Sequence, residues 1–445
     1  MTTDKNQVAT KICADIKHVC KTYGSRNAGS EGERLASEYF YQELSASADE
    51  IKKEEFKLNP AAFTGWIPIS VTCAMLGVVA YFFSSLVALI LFIIGIVPFL
   101  FEHVLYKRML DPLYPEKTSQ NITAIKKCSD YTKKRLYFVV NVDAPFENSI
   151  KYRFSGVTLV AVIVLDLIGV AYFSALSIAR WVLVGGLGAS IASGIPLYVG
   201  LAGLVFVPIF FINYFMISNK VIVDGANNNL TGCFVASRVL DALKDVELKN
   251  TDVGVIVTGG GACGLRGSKA WCDLHAEEVD KENTVFITLS SLRELGSLNV
   301  TGVEMYGLIR GDKDVAGLVQ DSAKTLNLKC SNHRIPLESS DSATFRQNGF
   351  KSACICATNL KLPEYFYTRY DSYDNLSEEC IGECYALALE IVKQYSGEDL
   401  DFVYETPTAV NGETEAENST EVNPEIQVDT PVDEQPEINT EVQND

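Results

Sequence analysis

The feature that most constrains this chain is an uncharged stretch of 36 residues, Trp66 to Phe101, in the first quarter of the sequence. A helix needs about 20 apolar residues to cross the hydrocarbon core of a bilayer, so this stretch predicts two short spans joined by a tight turn. The polar pair Ser84 and Ser85 is the expected turn. The sequence therefore predicts a transmembrane helical hairpin over residues 64–103.

A second apolar region runs from Ser155 to Asn219 and is interrupted by two charges, Asp166 and Arg180. Its first predicted span covers 156–178. Pro196 suits the start of another helix, because its missing N–H falls in a first turn that is unbonded anyway. The glycine-rich stretch between these segments is interfacial, re-entrant or a third crossing. Because the flanking segments read as one globular domain, an even number of crossings is required, and two spans are predicted.

Charge sets the expected orientation of these spans. The distal turns carry only Arg180, whereas eight basic residues flank the spans on the domain side: Lys107, Arg108, Lys117, Lys126, Lys127, Lys151, Arg153 and Lys220. By the positive-inside rule this distribution places the globular domain in the cytosol. Asp166 lies within a span, where an acid is costly and is by default a functional candidate. The alternative is that Asp166 bonds a Ser or Tyr of a neighbouring span or reaches toward Arg180.

The formal charge of −18 is concentrated at the carboxyl end of the chain. From Glu405 onward there are twelve acids, no Lys or Arg, and no aromatic residue. Such a segment buries too little apolar surface to offset chain entropy, so 399–445 is predicted to be a disordered acidic tail, either a spacer or an interaction segment. The absence of a basic patch argues against nucleic acid as a partner. The oligomeric state is left open.

Outside these regions the chain alternates strand-like and helix-like segments. Short apolar runs bounded by polar turns predict buried strands, and segments with apolar residues every three or four positions predict helices. This alternation predicts an α/β fold, a layered sandwich around a mixed, largely parallel sheet. Its parts are 1–63, 104–151 and 220–398, separated by the membrane insertions 64–103 and 152–219. Ligand sites in such folds lie at the carboxyl ends of the strands.

A series of ordered motifs carries a resemblance to a known family. In chain order they include RNAGSEGERLASEYFYQEL, SQNITA, VVNVD, VDGANNNLTG, GGGACGLRGS, FITLS, SSDSATFRQNGF and FYTRYDSYDNL. In this order and spacing they resemble the di-zinc aminopeptidase family, which also includes glutamate carboxypeptidase and the transferrin receptor ectodomain. The likeness covers most of the chain outside the spans and the tail. It implies a three-layer sandwich and two metal ions that hold the water used to hydrolyse a peptide bond.

The resemblance also implies that the family's metal ligands are lost. The family's His-x-Asp matches NVD, its Gly-Ala-Asp-Asp-Asn loop matches GANNN, and its Glu-Glu pair before Gly-Leu-x-Gly-Ser matches Gly-Ala. By this correspondence Gly261 stands at the position of the general base, and the ligand positions hold Asn141, Asn228, Ala262, Ser290 and Tyr367. The expected cleft residues are Asp143, Asn229, Cys263, Asp341 and Asp371. No zinc or other cofactor is expected.

From this loss the sequence predicts a catalytically inactive membrane pseudopeptidase, not an enzyme, whose cleft binds a peptide or protein as a scaffold or regulator. Two alternatives stay open. One is a hydrolase that uses unaligned ligands such as Asp143, Asp341 and Asp371 with one metal. The other makes the membrane unit around Asp166 the working element and the domain its regulator. Cys263 has no neighbouring base in the sequence and is expected to be a packing residue rather than a nucleophile.

Overall fold

The computed structural model describes residues 2–184, 191–334, 339–359, 364–400 and 402–404. Within these residues, the α-helices are α1 (Lys5–Tyr23), α2 (Glu31–Ser45), α3 (Ala62–Tyr81), α4 (Ser85–Pro98), α5 (Ser149–Arg153), α6 (Gly156–Val184), α7 (Ile195–Ala202), α8 (Val207–Ile212), α9 (Thr231–Ala242), α10 (Arg266–His275), α11 (Lys313–Thr325), α12 (Asp341–Gln347) and α13 (Glu378–Ser396). Short 3₁₀ or π-helical turns lie at Phe99–Val104, Asp111–Leu113, Gly203–Phe206, Asn213–Phe215, Ala226–Leu230, Leu295–Ser297 and Met305–Gly307.

The described strands are mostly short. They are β1 (Thr2–Thr3), β2 (Glu50–Leu58), β3 (Lys117–Lys126), β4 (Lys134–Asn141), β5 (Phe146–Asn148), β6 (Ile217–Ile222), β7 (Thr251–Thr258), β8 (Thr284–Leu292), β9 (Leu298–Glu304), β10 (Ile309–Arg310), β11 (Ser331–Arg334), β12 (Lys351–Ala357) and β13 (Val403–Tyr404). Strands β5 and β6 form a separate antiparallel pair that flanks the second apolar region.

One nine-stranded sheet forms the centre of the globular part, in the order β10-β9-β12-β8-β4-β7-β3-β2, with β11 paired to β9. The central pairs β12/β8, β8/β4 and β4/β7 are parallel. Strands β2 and β3 extend the sheet at one edge in antiparallel register, and β9 is antiparallel to β12 at the other. The prediction of an α/β fold with a mixed, largely parallel sheet is confirmed.

Strand β4 shows why helices cover both faces of this sheet. Side chains alternate between the two faces of a strand, with a period of two residues. Phe138 and Val140 are buried in the core that contains α1, α2, α9, α11 and α13. Tyr137 and Val139 are buried on the opposite face, against α10 and α12. Because both faces are buried, the strand reads as a continuous apolar run, as expected for a central parallel strand.

Four helical segments are long and apolar enough to cross a membrane: Ala62–Tyr81, Ser85–Val104, Gly156–Leu183 and Ile195–Phe215. Their mean hydropathies are 1.7, 2.5, 2.4 and 2.4. The first two join at the predicted turn, where the side chain of Ser84 caps the helix beginning at Ser85. Pro196 lies in the first turn of α7, as predicted. The glycine-rich stretch between the last two segments includes 185–190, which lie outside the described residues.

The predicted acidic tail, 399–445, lies largely outside the described residues. Part of its beginning is described: β13 pairs in parallel with β1 at the amino end of the chain. Val403 and Tyr404 therefore lie with the globular part.

Candidate functional site

The candidate site lies at one edge of the sheet, where parallel strands β4, β7 and β8 present their carboxyl ends. Strand β4 ends at Asn141 and β7 ends at Thr258. The loop after β7, residues 259–265, has positive φ at Gly260 (61°) and Gly264 (92°). Glycine adopts these angles without strain, so the glycine-rich sequence here is what allows the tight turn.

Asp143 joins the loop after β4 to the loop after β7. Its Oδ1 accepts a hydrogen bond from the backbone N of Gly261 at 2.8 Å, and its Oδ2 accepts one from the backbone N of Ala262 at 3.0 Å. The amide of Asn141 donates to the same Oδ1 at 3.1 Å. Burial raises the pKa of the Asp143 carboxyl. Both oxygens of Asp143 therefore hold the loop that carries Gly261 and Ala262.

A second cluster forms where the loop after Gly225 meets β8. Ser290 Oγ donates to Asn228 Oδ1 at 3.5 Å. Asp371 Oδ1 accepts from the backbone N of Asn227 at 2.6 Å, and its Oδ2 accepts from that of Asn228 at 3.2 Å. Burial raises the pKa of Asp371 to about 6. Asp371 therefore supports this loop as Asp143 supports the other.

The remaining predicted cleft residues are also buried in the frame of the site. Asn229 donates to a carbonyl of β8 at 2.6 Å. Asp341 accepts from Thr258 Oγ1 at 3.4 Å, and burial raises its pKa to about 6. Cys263 donates to the carbonyl of Gly260 at 3.2 Å, and burial raises the pKa of its thiol well above the ordinary value. A buried, protonated thiol fits the predicted packing role of Cys263.

The rim of the site consists of the positions predicted for the family's metal ligands and general base, and the side chains at these positions are neutral. The half-buried ones are Asn141, Gly261, Ala262, Ser290 and Tyr367. The contacts given above bring Asn141 together with Gly261 and Ala262 around Asp143, and Asn228 together with Ser290. Tyr367 is placed by a different contact, since its carbonyl accepts from the backbone N of Asn148 at 2.8 Å.

These groups do not fit the two zinc ions that the resemblance implies. Zinc binds imidazole, thiolate and carboxylate, whereas glycine and alanine offer no side-chain donor and a neutral amide is a poor ligand. Two such ions also concentrate about four positive charges, which need nearby carboxylates to offset them. The Asp143 carboxylate beside the rim does not serve this purpose, because both of its oxygens are bonded to backbone N–H groups. Among the described residues, no three His, Cys, Asp or Glu side chains lie close enough to share a metal.

Glu33 is a site residue that the sequence analysis did not identify. Its Oε1 accepts from the backbone N of Gly260 at 2.8 Å, and its Oε2 accepts from that of Gly29 at 2.6 Å. Burial, and next the Asp143 carboxyl, raise the pKa of Glu33 to about 8. The sequence offered one signal for Glu33, the spacing Ser30-x-x-Glu33. This spacing is typical of a helix start in which Ser30 Oγ caps α2 and the glutamate three residues later accepts from a backbone N–H at the cap.

Arg26 was also missed. It is fully buried, and its Nε donates to the carbonyl of Val142 at 3.1 Å, while its Nη2 donates to that of Asp224 at 2.6 Å. The guanidinium therefore fixes the loop after β4 against the loop that leads to Asn228. The sequence places Arg26 in the first of the family-like motifs but gives no sign that its charge is buried.

The raised pKa of Glu33 predicts that the free energy of unfolding of the chain falls as pH rises toward 8. Its pKa is raised from 4.5 to about 8 on folding, so the folded state binds more protons between these values and its stabilisation is lost as pH rises through 8. Asp341 and Asp371, with folded pKa values of about 6, act in the same direction at lower pH. Between pH 6 and 8 we expect Glu33 to lower the free energy of unfolding by about 2 kcal/mol.

Denaturant unfolding of the detergent-solubilised chain at pH 6, 7 and 8 measures this slope. Glu33→Gln is expected to be less stable overall, because an amide offers one acceptor oxygen where two backbone N–H groups are bonded. Between pH 6 and 8 its free energy of unfolding should nevertheless lack the loss of about 2 kcal/mol that Glu33 contributes to the unsubstituted chain. A variant slope equal to that of the unsubstituted chain would contradict the assignment to Glu33.

No protein-family model matches the chain, and no curated protein matches it. Solved structures match it in fold. The zinc aminopeptidase BSAP from Bacillus subtilis has a TM-score of 0.51 at 13% identity, over 87% of this chain and 94% of its own. The aminopeptidase from Aneurinibacillus sp. strain AM-1 has a TM-score of 0.51 at 11% identity, over 90% and 100%. This chain has the zinc-aminopeptidase fold. A glutaminyl cyclase of Bacteroides thetaiotaomicron also shares the aminopeptidase fold, with a TM-score of 0.51 at 10% identity over 86% and 97%.

The prediction that the chain is not an enzyme is wrong. The structures that share its fold include zinc-dependent exopeptidases, aminopeptidases and glutaminyl cyclases, so the aminopeptidase fold of this chain is an enzyme fold. The prediction equated the loss of aligned ligands with the loss of activity. That step fails because activity depends on which groups the folded chain presents, and neutral side chains at aligned positions do not show that turnover is absent.

Proposed function

We propose that the chain is a multi-pass membrane protein whose aminopeptidase-like domain binds a peptide or the end of a protein chain. The observation that carries the proposal is the construction of the site, in which buried carboxylates hold two loops and neutral groups form the rim. Asn141, Asn228 and Ser290 offer both donors and acceptors, which suits the N–H and C=O groups of a peptide backbone. The fold shared with aminopeptidases supports a peptide as the ligand.

The membrane part of the proposal rests on the four apolar helical segments. We place the globular domain on the cytosolic side, because the basic residues that flank the segments lie at the ends next to this domain and such residues are enriched in the cytosol. A reporter that is active only outside the cytosol, fused at the carboxyl end, should remain inactive. Activity of that reporter would reverse the orientation without touching the proposed site.

Peptide binding is tested with the full chain in nanodiscs and fluorescent decapeptides of mixed sequence. We expect saturable binding, and Asn141→Ala and Asn228→Ala should each weaken it about tenfold, which is about 1.4 kcal/mol. Asn141 is half-buried and Asn228 is 9% exposed, and each change removes a neutral amide while leaving the buried carboxylates in place. The measurement is fluorescence anisotropy against protein concentration.

Gln42→Ala is the matched control, because Gln42 is an exposed amide on α2. This control should bind peptide like the unsubstituted chain. Absence of saturable binding by the unsubstituted chain would sink the proposal. Equal affinity in all four proteins would place the peptide elsewhere on the molecule.

A second candidate function is chemical turnover of the bound chain end, which the shared enzyme fold favours. The same incubations, sampled over time by mass spectrometry, report removal of a terminal residue or cyclisation of a terminal glutamine. Turnover would have to persist in Gln42→Ala and fall in Asn141→Ala to be assigned to this site. Asp143, Asp341 and Asp371 each bond separate groups of the frame, so a single metal shared by all three is not supported.

A further inference from the structure

The membrane helices enclose a cavity of about 100 Å³. Among its described lining residues, the aliphatic and aromatic side chains far outnumber the polar ones, which are Ser70, Asp166 and Asn213. Ser70 Oγ donates to the carbonyl of Gly95 at 2.5 Å. Leu167 also lines the cavity and is exposed at the outer surface of the helices. The cavity is therefore an apolar chamber that reaches the helix surface and contains two groups with further capacity for hydrogen bonds.

Asp166 of α6 faces Asn213, which lies just beyond α8. Asn213 Nδ2 donates to Asp166 Oδ2 at 2.8 Å and to the carbonyl of Ile209 at 2.9 Å. One of the two alternatives for Asp166 named a Ser, a Tyr or Arg180 as its partner, whereas the observed hydrogen bond comes from an asparagine. Arg180 donates instead to the carbonyl of Tyr81. Both hydrogen bonds are donated by Nδ2, which fixes the plane of the Asn213 amide and therefore the direction of its carbonyl oxygen.

The second oxygen of Asp166 and the amide oxygen of Asn213 lie beside this hydrogen bond. Asp166 Oδ1 and Asn213 Oδ1 are buried, and neither has a hydrogen-bond partner among the described residues. Asn213 is only 4% exposed. Both atoms are acceptors, and a buried acceptor without a donor costs about 1–3 kcal/mol. A carboxyl group within an apolar layer adds a further cost and marks a functional site. A ligand that fills the cavity must therefore supply N–H or O–H donors.

The rings around the cavity favour a positive charge on that ligand. Trp66, Phe92, Phe99 and Phe210 line it, and the Trp66 and Phe99 ring centroids are 5.0 Å apart in an edge-to-face arrangement. Aromatic faces attract ammonium groups, most strongly when water is excluded. No Lys or Arg forms an ion pair with Asp166 in the described part of the chain. A carboxyl group beside aromatic rings is the combination that recognises an amine.

We propose that this cavity binds an apolar amine, with the ammonium group between Asp166 and Asn213 and the hydrocarbon body against the rings. The ammonium donates to Asp166 Oδ1 and Asn213 Oδ1, the two acceptors that lack a partner. The apolar body gains contact with the lining and can extend past Leu167 along the helix surface. This inference rests on the proposed membrane insertion but is independent of peptide binding by the globular domain.

The test uses the full chain in phosphatidylcholine nanodiscs and a dodecylamine that carries a photoreactive diazirine in its chain. We expect labelling of peptides that contain Trp66, Phe99 or Phe210. Unlabelled dodecylamine should compete at a concentration at least tenfold lower than dodecanol or dodecanoic acid. Asp166→Asn should reduce labelling at least tenfold, because it removes the charge while keeping the shape of the side chain.

Ser177→Ala is the matched control, since Ser177 is a buried polar residue of the same helix and is absent from the described lining. This variant should label like the unsubstituted chain. Competition by alcohol and amine at equal concentration would overturn the proposal, and this readout needs no variant. Labelling unchanged in Asp166→Asn would also overturn it. Failure of membrane insertion is a separate result, because the chain would then not elute with the nanodiscs.

Discussion

Arg266→Ala should lower the free energy of unfolding by about 3–5 kcal/mol. Arg266 begins α10, directly after the loop of the candidate site, and is 2% exposed. Its Nη2 lies 2.6 Å from Asp111 Oδ1 and 3.3 Å from Glu102 Oε2. Glu102 lies near the end of the second apolar helical segment, Ser85–Val104, and is 1% exposed. Removal of the guanidinium leaves this carboxyl group buried without its cation, and such a group is far costlier to bury than an intact pair.

Arg34→Ala provides the contrast for this prediction. Arg34 contacts Glu31 at 2.7 Å, close to the 2.6 Å between Arg266 and Asp111, but the side chains of Arg34 and Glu31 both lie in solvent. Water screens that pair, so its removal should leave stability within measurement error. Denaturant unfolding of both variants in the same detergent gives the comparison. Arg266→Met combined with Glu102→Gln should recover part of the loss, because it removes the unpaired charge. An effect of Arg266→Ala as small as that of Arg34→Ala would contradict the prediction.

The same contacts link the candidate site to the apolar helices. Lys269, one turn further along α10, donates to the carbonyls of Gly264 and Tyr106. Burial, and next the Arg266 charge, lower the pKa of Lys269 to about 7. One face of α10 is thus bonded to the chain that leaves the hairpin of α3 and α4, while its first turn follows the loop that presents Gly261. A change in the hairpin should therefore displace the rim of the site.

The fold could be predicted from the sequence because its signals are local. Apolar runs of strand length and helical periodicity each report on a short segment, and the strands and helices that they predict are confirmed. Uncharged stretches of span length also report on short segments, and these form helices long and apolar enough to cross a membrane. The turn at Ser84 follows from two polar residues in an apolar stretch. The loops of the candidate site were located by the family-like motifs VVNVD, VDGANNNLTG and GGGACGLRGS, each of which is also a short segment.

The contacts that build the site could not be predicted, because they join distant segments. Glu33 and Gly260 are 227 residues apart in the chain and share a hydrogen bond. Asn213 and Asp166 are 47 residues apart, and neither position shows which polar group the other will meet. Arg26 is buried by the loops of two other motifs. Residue type at an aligned position also failed as a guide to activity, which is why the prediction of a non-enzyme had to be corrected.

Gly267→Ala should destabilise the chain by about 3 kcal/mol, although it replaces one residue in a helix by a better helix former. A Cβ at this position would lie 2.2 Å from the carbonyl oxygen of Gly259 and 2.8 Å from Thr258 Cβ. The first of these atoms is backbone at the end of β7 and cannot rotate away. Either α10 or the loop of residues 259–265 must move, and such overpacking is costly in a close-packed interior.

Gly317→Ala separates this steric effect from helix propensity. Gly317 lies within α11, and a Cβ there would meet no described atom within 4 Å. Alanine at this position should therefore raise stability by up to about 1 kcal/mol, since it restricts the unfolded chain and suits a helix. Denaturant midpoints of the two variants should thus move in opposite directions. Peptide binding should follow the same division, with loss in Gly267→Ala and retention in Gly317→Ala, because only the first displaces the loop that carries Gly261. A shift of both midpoints in the same direction would show that the close approach of α10 to Gly259 does not fix the site.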